Sequence, residues 1–182
     1  MMLMLVTRDD ERLPEIVRAA VEGGVNIVQI REGDAEAICA AVGPRARIVV
    51  SERRRPAGWH GAVPAPGLHL PETAPFVKAP FVGRSVHSVE AAIRAENEGC
   101  DYILAGSVFP TTSHPGGAVG GLELLRDIAA AVKIPIIAIG GITATNARKC
   151  IDAGARGVAV ISAIFDADDP RKAAEELWRS IA

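Results

Sequence analysis

Residues 135–165 read Pro-Ile-Ile-Ala-Ile-Gly-Gly-Ile-Thr-Ala-Thr-Asn-Ala-Arg-Lys-Cys-Ile-Asp-Ala-Gly-Ala-Arg-Gly-Val-Ala-Val-Ile-Ser-Ala-Ile-Phe. Two runs, Ile136 to Ile139 and Val158 to Ile161, are apolar at nearly every position and flank an amphipathic segment ending near Ala155. Strands covered on both faces have this pattern, whereas a half-wet antiparallel pair would alternate. The expected unit is strand, helix, strand, with the strands parallel. Each apolar run stops on small residues. Gly140-Gly141 lets backbone N–H groups approach a ligand closely, and Ser162 adds a hydroxyl where a short helical turn through Phe165 begins. Together they form a candidate phosphate cradle, the task that loops after the last two strands perform in closed α/β barrels. The same glycines also suit plain strand-to-helix turns.

Outward from this stretch, the chain repeats the unit. Strands are expected at Leu3–Thr7, Asn26–Arg31, Arg47–Ser51, Leu68–Leu70, Phe81–His87 and Tyr102–Phe109. Helical spacing is found over Leu13–Val21, Asp34–Val42, Thr73–Lys78, Val89–Glu98, Leu122–Val132, Thr143–Ala153 and Pro170–Ile181, the last capped by Asp169. Eight strand–helix units result, with the third and fourth shortened and the third helix vestigial. Right-handed crossovers between parallel strands lead to a doubly wound sheet or to a closed barrel. A doubly wound sheet puts its glycine-rich loop after the first strand. Here that place holds Thr7-Arg8-Asp9-Asp10 and the glycines come last. The expected fold is α/β, a (β/α)8 barrel forming one domain over residues 1–182.

Composition narrows the function. Charges or glycines interrupt every apolar run before it reaches the length of a membrane span, so no membrane partner is expected. The apolar start, Met1 to Thr7, lacks a basic leader and reads as the first strand. A net charge of -2 and few aromatic residues argue against a nucleic-acid partner, and Arg53-Arg54-Arg55 reads as a solvated loop. Cys39, Cys100 and Cys150 are odd in number and far apart, which suggests free thiols on buried helix faces in a reducing cytoplasm. Ala91, Ala92, Ala95, Ala129 and Ala130 suit packing on the barrel or on a second subunit of a homo-oligomer.

In a barrel, the active face collects what lies just past each strand's carboxyl end. That set is Gln29, Arg31, Glu32, Ser51, Glu52, His69, Glu72, Ser85, His87, Ser107, Thr111, Thr112, Ser113 and His114, beside the last two loops. It suits a small phosphorylated ligand. Six blocks then resemble one family in order: Val28–Glu32 (Val-Gln-Ile-Arg-Glu), Gly67–Leu70, Ser85–Ser88, Gly106–Ser113 (Gly-Ser-Val-Phe-Pro-Thr-Thr-Ser), Ala138–Ile142 and Gly157–Ser162. They are similar to thiamine phosphate synthase and its TenI-like relatives. The resemblance implies a (β/α)8 barrel of thiamine biosynthesis that binds a thiazole phosphate. It implies Gly141, Ile161 and Ser162 at the thiazole-side phosphate, Thr111 and Ser113 along the thiazole pocket, and Gln29, Arg31 and Ser85 around the pyrimidine or diphosphate.

Two chemistries belong to this family. A synthase joins a pyrimidine diphosphate to thiazole phosphate with Mg²⁺ and releases pyrophosphate; a TenI-like tautomerase aromatises thiazole carboxylate phosphate by moving a proton, with no cofactor. Synthases carry Arg-Glu-Lys after strand two, Asn-Asp after strand three and a metal-binding Asp past the strand-four histidine. This chain has Gly33, Ser51-Glu52 and Ala74 there. Loss of a Mg²⁺ carboxylate favours the tautomerase as the expected function, an isomerase with no metal, with Glu52 and Glu72 holding Mg²⁺ only on the synthase alternative. The tautomerase's own histidine position is Ser107, so His114 is the first candidate acid/base and His87 the second. His69 reads as a structural strand histidine. A barrel that binds phosphate without catalysis is the remaining alternative.

Overall fold

The computed structural model describes residues 1–52, 67–111 and 119–182. Eight parallel strands close into a barrel in sequence order: β1 (Met2–Val6), β2 (Ile27–Ile30), β3 (Arg47–Ser51), β4 (Gly67–Leu70), β5 (Val82–Val86), β6 (Tyr102–Ala105), β7 (Ile136–Ile139) and β8 (Gly157–Val160). Closure is made by β1 against β8, with Leu3 opposite Val158 and Leu5 opposite Val160. The helices are α1 (Leu13–Glu22), α2 (Ala35–Val42), α3 (Val89–Glu98), α4 (Gly121–Ala131), α5 (Ala147–Asp152), α6 (Ser162–Phe165) and α7 (Pro170–Ile181). This is the expected (β/α)8 barrel.

Alternation along each strand divides the apolar residues into two cores. Met4, Val6, Ile27, Val49, Tyr102, Leu104, Ile137 and Ala159 point inward and fill the barrel. Leu3, Leu5, Val28, Ile30, Val50, Val86, Ile103 and Val158 point outward and meet the helices. Complete burial of a Leu or Ile side chain contributes about 1.5–3 kcal/mol, so these two shells hold the barrel together. α7 shows how a helix docks on the outer shell. Ala174, Leu177 and Ile181 recur at helical spacing and are buried, while Asp169 accepts a hydrogen bond from the Lys172 amide at 3.0 Å and caps the first turn. Ala91, Ala92 and Ala95 of α3 are likewise buried against their own barrel.

Inside, the Tyr102 ring crosses the space beside Gly83, where an added Cβ would lie 1.9 Å from the ring. Phe81 stacks on the same ring at 5.2 Å, and His69 lies against it at 5.7 Å. These side chains plug the barrel and leave its carboxyl end open.

Three expected elements differ. No helix forms over 73–78, where residues 71–81 run as a turn and extended chain. Pro75 removes an amide donor and disfavours the helical conformation at Ala74. The helix expected from Thr143 starts at Ala147, because Thr143–Asn146 form a turn in which Asn146 Oδ1 accepts from the Thr143 amide at 2.9 Å. β6 stops at Ala105, four residues before Phe109. All three cysteines are free; Cys39 and Cys150 lie on helices, but Cys100 lies between α3 and β6. Arg53 to Arg55 and most of the Pro- and Gly-rich segment that follows lie outside the described residues.

Candidate active site

The carboxyl ends of the strands open onto a cavity of about 950 Å³. Strand alternation aims Gln29 of β2, Ser51 of β3, His69 of β4 and Ser85 of β5 at it, and the loops beyond supply Arg31, Glu32, Glu72, His87, Ser107 and Thr111. Gly140, Gly141, Ile161 and Ser162 line the same cavity. Val6, Leu104, Ile139 and Ala159 give it an apolar floor, and Leu124 of α4 an apolar wall, which the sequence reading did not anticipate. Glu52 does not line it. Ser113 and His114, together with Thr112, lie outside the described residues.

The Gly-Gly turn is braced from three sides. Phe109 donates its amide to the Gly140 carbonyl at 3.0 Å, Val108 donates to the Ile139 carbonyl at 2.9 Å, and Asn146 Nδ2 donates to the Gly141 carbonyl at 2.9 Å. Gly141 has φ +61°, and a Cβ there would meet the Pro110 carbonyl oxygen at 2.3 Å. No described backbone carbonyl takes the amide of Gly141 or of Ser162. Among the described residues, two N–H donors on adjoining turns thus lack a backbone acceptor at one end of the cavity, an arrangement that attracts an anion.

The opposite rim is polar and firmly positioned. Thr7, fully buried, donates its hydroxyl to the Glu32 carbonyl at 2.6 Å and accepts from the Arg31 and Glu32 amides at 3.0 Å each. This fixes the turn carrying Arg31. Glu72 Oε2 accepts from the His87 amide at 2.7 Å and pairs with His87 Nδ1 at the same distance. The His87 side chain is 64% exposed, so it sits on the rim rather than inside the barrel. Behind the rim, Arg84 points outward from β5 and is 1% exposed. Its Nη1 donates toward the carbonyls of Pro71, Glu72 and Ala74 at 3.0, 3.1 and 2.7 Å, and its Nη2 lies 2.8 Å from Glu98 Oε2. That guanidinium holds the loop bearing Glu72. It was missed in the sequence, although an arginine at an outward position of an otherwise apolar strand was the signal.

Two groups inside the cavity stand out. Gln29 is 4% exposed and its Oε1 has no hydrogen-bond partner among the described residues. His69 pairs through Nδ1 with the Tyr102 hydroxyl and through Nε2 with Ser85 Oγ, each at 2.9 Å. Burial, with a smaller contribution from Arg84, pushes the His69 pKa down to about 3, so the ring is neutral. Among the described residues no three acidic, His or Cys side chains gather as a metal cluster. The acidic side chains that face the cavity are Glu32 and Glu72.

The profile of a family described as thiamine monophosphate synthase matches residues 3–164. The chain belongs to this family. Proteins named thiamine-phosphate synthase from Pyrococcus furiosus and Thiobacillus denitrificans are 42% and 38% identical to it, over 98% and 97% of this chain and 95% and 91% of theirs. A solved thiamine phosphate pyrophosphorylase from Pyrococcus furiosus superposes with TM-score 0.79 at 35% identity, covering 99% of this chain and 95% of that one. A 3-hexulose-6-phosphate synthase superposes at 0.75 with 19% identity, a likeness of fold alone.

These names overturn the tautomerase expectation. Nearly full-length relatives at about 40% identity are named thiamine-phosphate synthase, so this thiamine-biosynthesis family member is not read as an isomerase, and the acid/base roles expected for His114 and His87 belonged to that reading. One departure now has a local cause. Gly33, at the expected lysine, has φ +96°, and a Cβ there would lie 2.1 Å from Leu13 Cδ2. The backbone of this turn is built for glycine.

Proposed function

We propose that the protein is a thiamine-phosphate synthase, joining a pyrimidine diphosphate to thiazole phosphate. The thiazole ring nitrogen attacks the pyrimidine methylene carbon, the carbon–oxygen bond to the diphosphate breaks, and pyrophosphate leaves with that electron pair. The attacking lone pair is already free. No general base is needed, which suits a cavity whose buried histidine is neutral and whose rim histidine is paired with Glu72.

Gln29 carries this reading. A buried amide oxygen without a partner costs about 1–3 kcal/mol, and an amino group on a pyrimidine ring supplies the missing donor. The site is therefore read as holding two ligands. Thiazole phosphate lies against the amides of Gly141 and Ser162, beside Gly140 and Ile161, with Thr111 along the ring and Ser107 near it. The pyrimidine lies at Gln29, with Arg31 and Ser85 toward its diphosphate.

Magnesium fits this donor set. It binds through one or two carboxylates plus phosphate oxygens and keeps several waters, so it needs no three-residue cluster. Glu72 is the residue that would hold it: His87 engages Oε2 and orients the carboxylate, while Arg84 fixes the loop. When bound, the ion neutralises charge on the diphosphate. Arg31 adds a fixed positive charge on the same side, and the apolar floor strengthens both interactions by excluding water.

The test is to add thiazole phosphate, pyrimidine diphosphate and Mg²⁺ together and follow pyrophosphate. Release that requires all three supports the proposal. Tight binding of thiazole phosphate with no pyrophosphate release overturns it.

A further inference from the structure

The chain Tyr102, His69, Ser85 crosses the barrel from its plugged centre to the cavity. The three residues lie on neighbouring strands β6, β4 and β5, all facing inward. Both links are 2.9 Å long. Tyr102 is fully buried, and among the described residues its hydroxyl has one hydrogen-bond partner, His69 Nδ1. A buried phenol directs its proton to an acceptor, because leaving it unpaired costs more than the bond is worth in water.

That requirement sets the direction of every bond along the chain. If the Tyr102 hydroxyl donates to Nδ1, a neutral His69 carries its proton on Nε2. Nε2–H then donates to Ser85 Oγ. One of the two lone pairs on the Ser85 oxygen is thereby filled, and the serine's own proton is left to point into the cavity. We infer that Tyr102 and His69 are positioning residues that free the Ser85 proton and present it to the ligand as a hydrogen-bond donor, favouring an acceptor such as a phosphoryl oxygen. Ser85 is thereby ruled out as a nucleophile activated by His69, since Nε2 has no lone pair to take the serine proton. A neutral ring is essential to this arrangement. Burial keeps it so, as does the positive charge of Arg84 on the far face of β5.

The identity of the acceptor as a diphosphate rests on the synthase reading; the bond direction does not, and the two are tested separately. For the direction, nitrogen-15 NMR of the whole protein reports which ring nitrogen of His69 is protonated. The Nε2–H tautomer is expected at neutral pH. An Nδ1–H tautomer, or an imidazolium, overturns the inference whatever the enzyme does.

For the ligand, binding of Mg²⁺–pyrophosphate is measured calorimetrically in Ser85→Ala, Tyr102→Phe and the double variant. Loss of a hydrogen bond to a charged oxygen corresponds to about tenfold or more in Kd for Ser85→Ala. Tyr102→Phe weakens binding in the same direction on the native background and adds nothing once Ser85 is gone, while inorganic phosphate binding at the far turns is unchanged in all three. Equal pyrophosphate affinity in Tyr102→Phe and native protein, or additive losses in the double variant, overturns the relay. Where native protein binds no pyrophosphate, the synthase reading fails and the tautomer alone decides the relay.

Discussion

Arg84→Met removes the charge behind the rim while retaining most of the side chain's apolar length. Nη1 carries two hydrogens, so at most two of its three carbonyl contacts at 2.7–3.1 Å are strong at once. Hydrogen bonds from a charged donor contribute about 1.5–3 kcal/mol each, giving roughly 3–6 kcal/mol gross. Part of this returns. The loop carbonyls can turn toward water, and Glu98, with its side chain 30% exposed, can be hydrated once its partner is gone. A net loss of about 2–3 kcal/mol remains, which for a domain of this size lowers Tm by roughly 4–12 °C. The local signature is sharper than the melting shift. The His87 amide donates to Glu72 Oε2, and the Ala74 amide donates to the Pro71 carbonyl at 3.2 Å, so both protons report on the loop that Arg84 holds. Amide exchange followed by NMR should speed up at His87 and Ala74, more than in β7 and β8. A variant that melts within a degree of native protein, with unchanged exchange at both amides, would refute the claim that Arg84 positions Glu72.

Gly141→Ala places a methyl group 2.3 Å from the Pro110 carbonyl in a left-handed backbone. Strain and overpacking together should cost about 2–5 kcal/mol, seen by denaturant unfolding, with weaker binding of thiazole phosphate. Gln29→Met removes a buried amide that lacks a partner, so the ligand-free protein should be as stable as native or more so, while calorimetry shows pyrimidine diphosphate affinity falling about tenfold. The pKa of His69 lies at about 3 in the fold against an ordinary 6.5, so the unfolded chain binds the extra proton first. Its contribution to stability is complete above pH 6.5 and is lost as pH falls toward 3, at up to about 1.4 kcal/mol per pH unit. Denaturation of His69→Gln across that range should show a shallower acid slope.

The barrel could be read because two signals agree over Pro135 to Phe165: apolar runs too continuous for half-exposed strands, and glycines at the last loops rather than the first. Position at the strands' carboxyl ends also put Gln29 and Ser85 on the expected active face, and both line the cavity. Shorter signals were less dependable. Thr73 to Lys78 has a helix-like beginning, but Pro75 decides against it. The roles of Thr7, Arg84 and Tyr102 depend on contacts between neighbouring strand–loop units, such as Thr7 with the turn at Glu32 and Tyr102 over Gly83. Spacing along one strand carries no information about such contacts. The choice of chemistry failed for a related reason. Gly33 and Ala74 were read as missing parts of one fixed site, yet Glu72 with His87 and Arg84 forms a different carboxylate rim beside them.

The most direct measurement is product stoichiometry. The protein is mixed with thiazole phosphate, pyrimidine diphosphate and Mg²⁺, and thiamine phosphate is quantified alongside pyrophosphate. The account predicts equal amounts of the two, with neither formed when thiazole phosphate is omitted. Pyrophosphate without thiamine phosphate, or no product while both substrates bind, would contradict it.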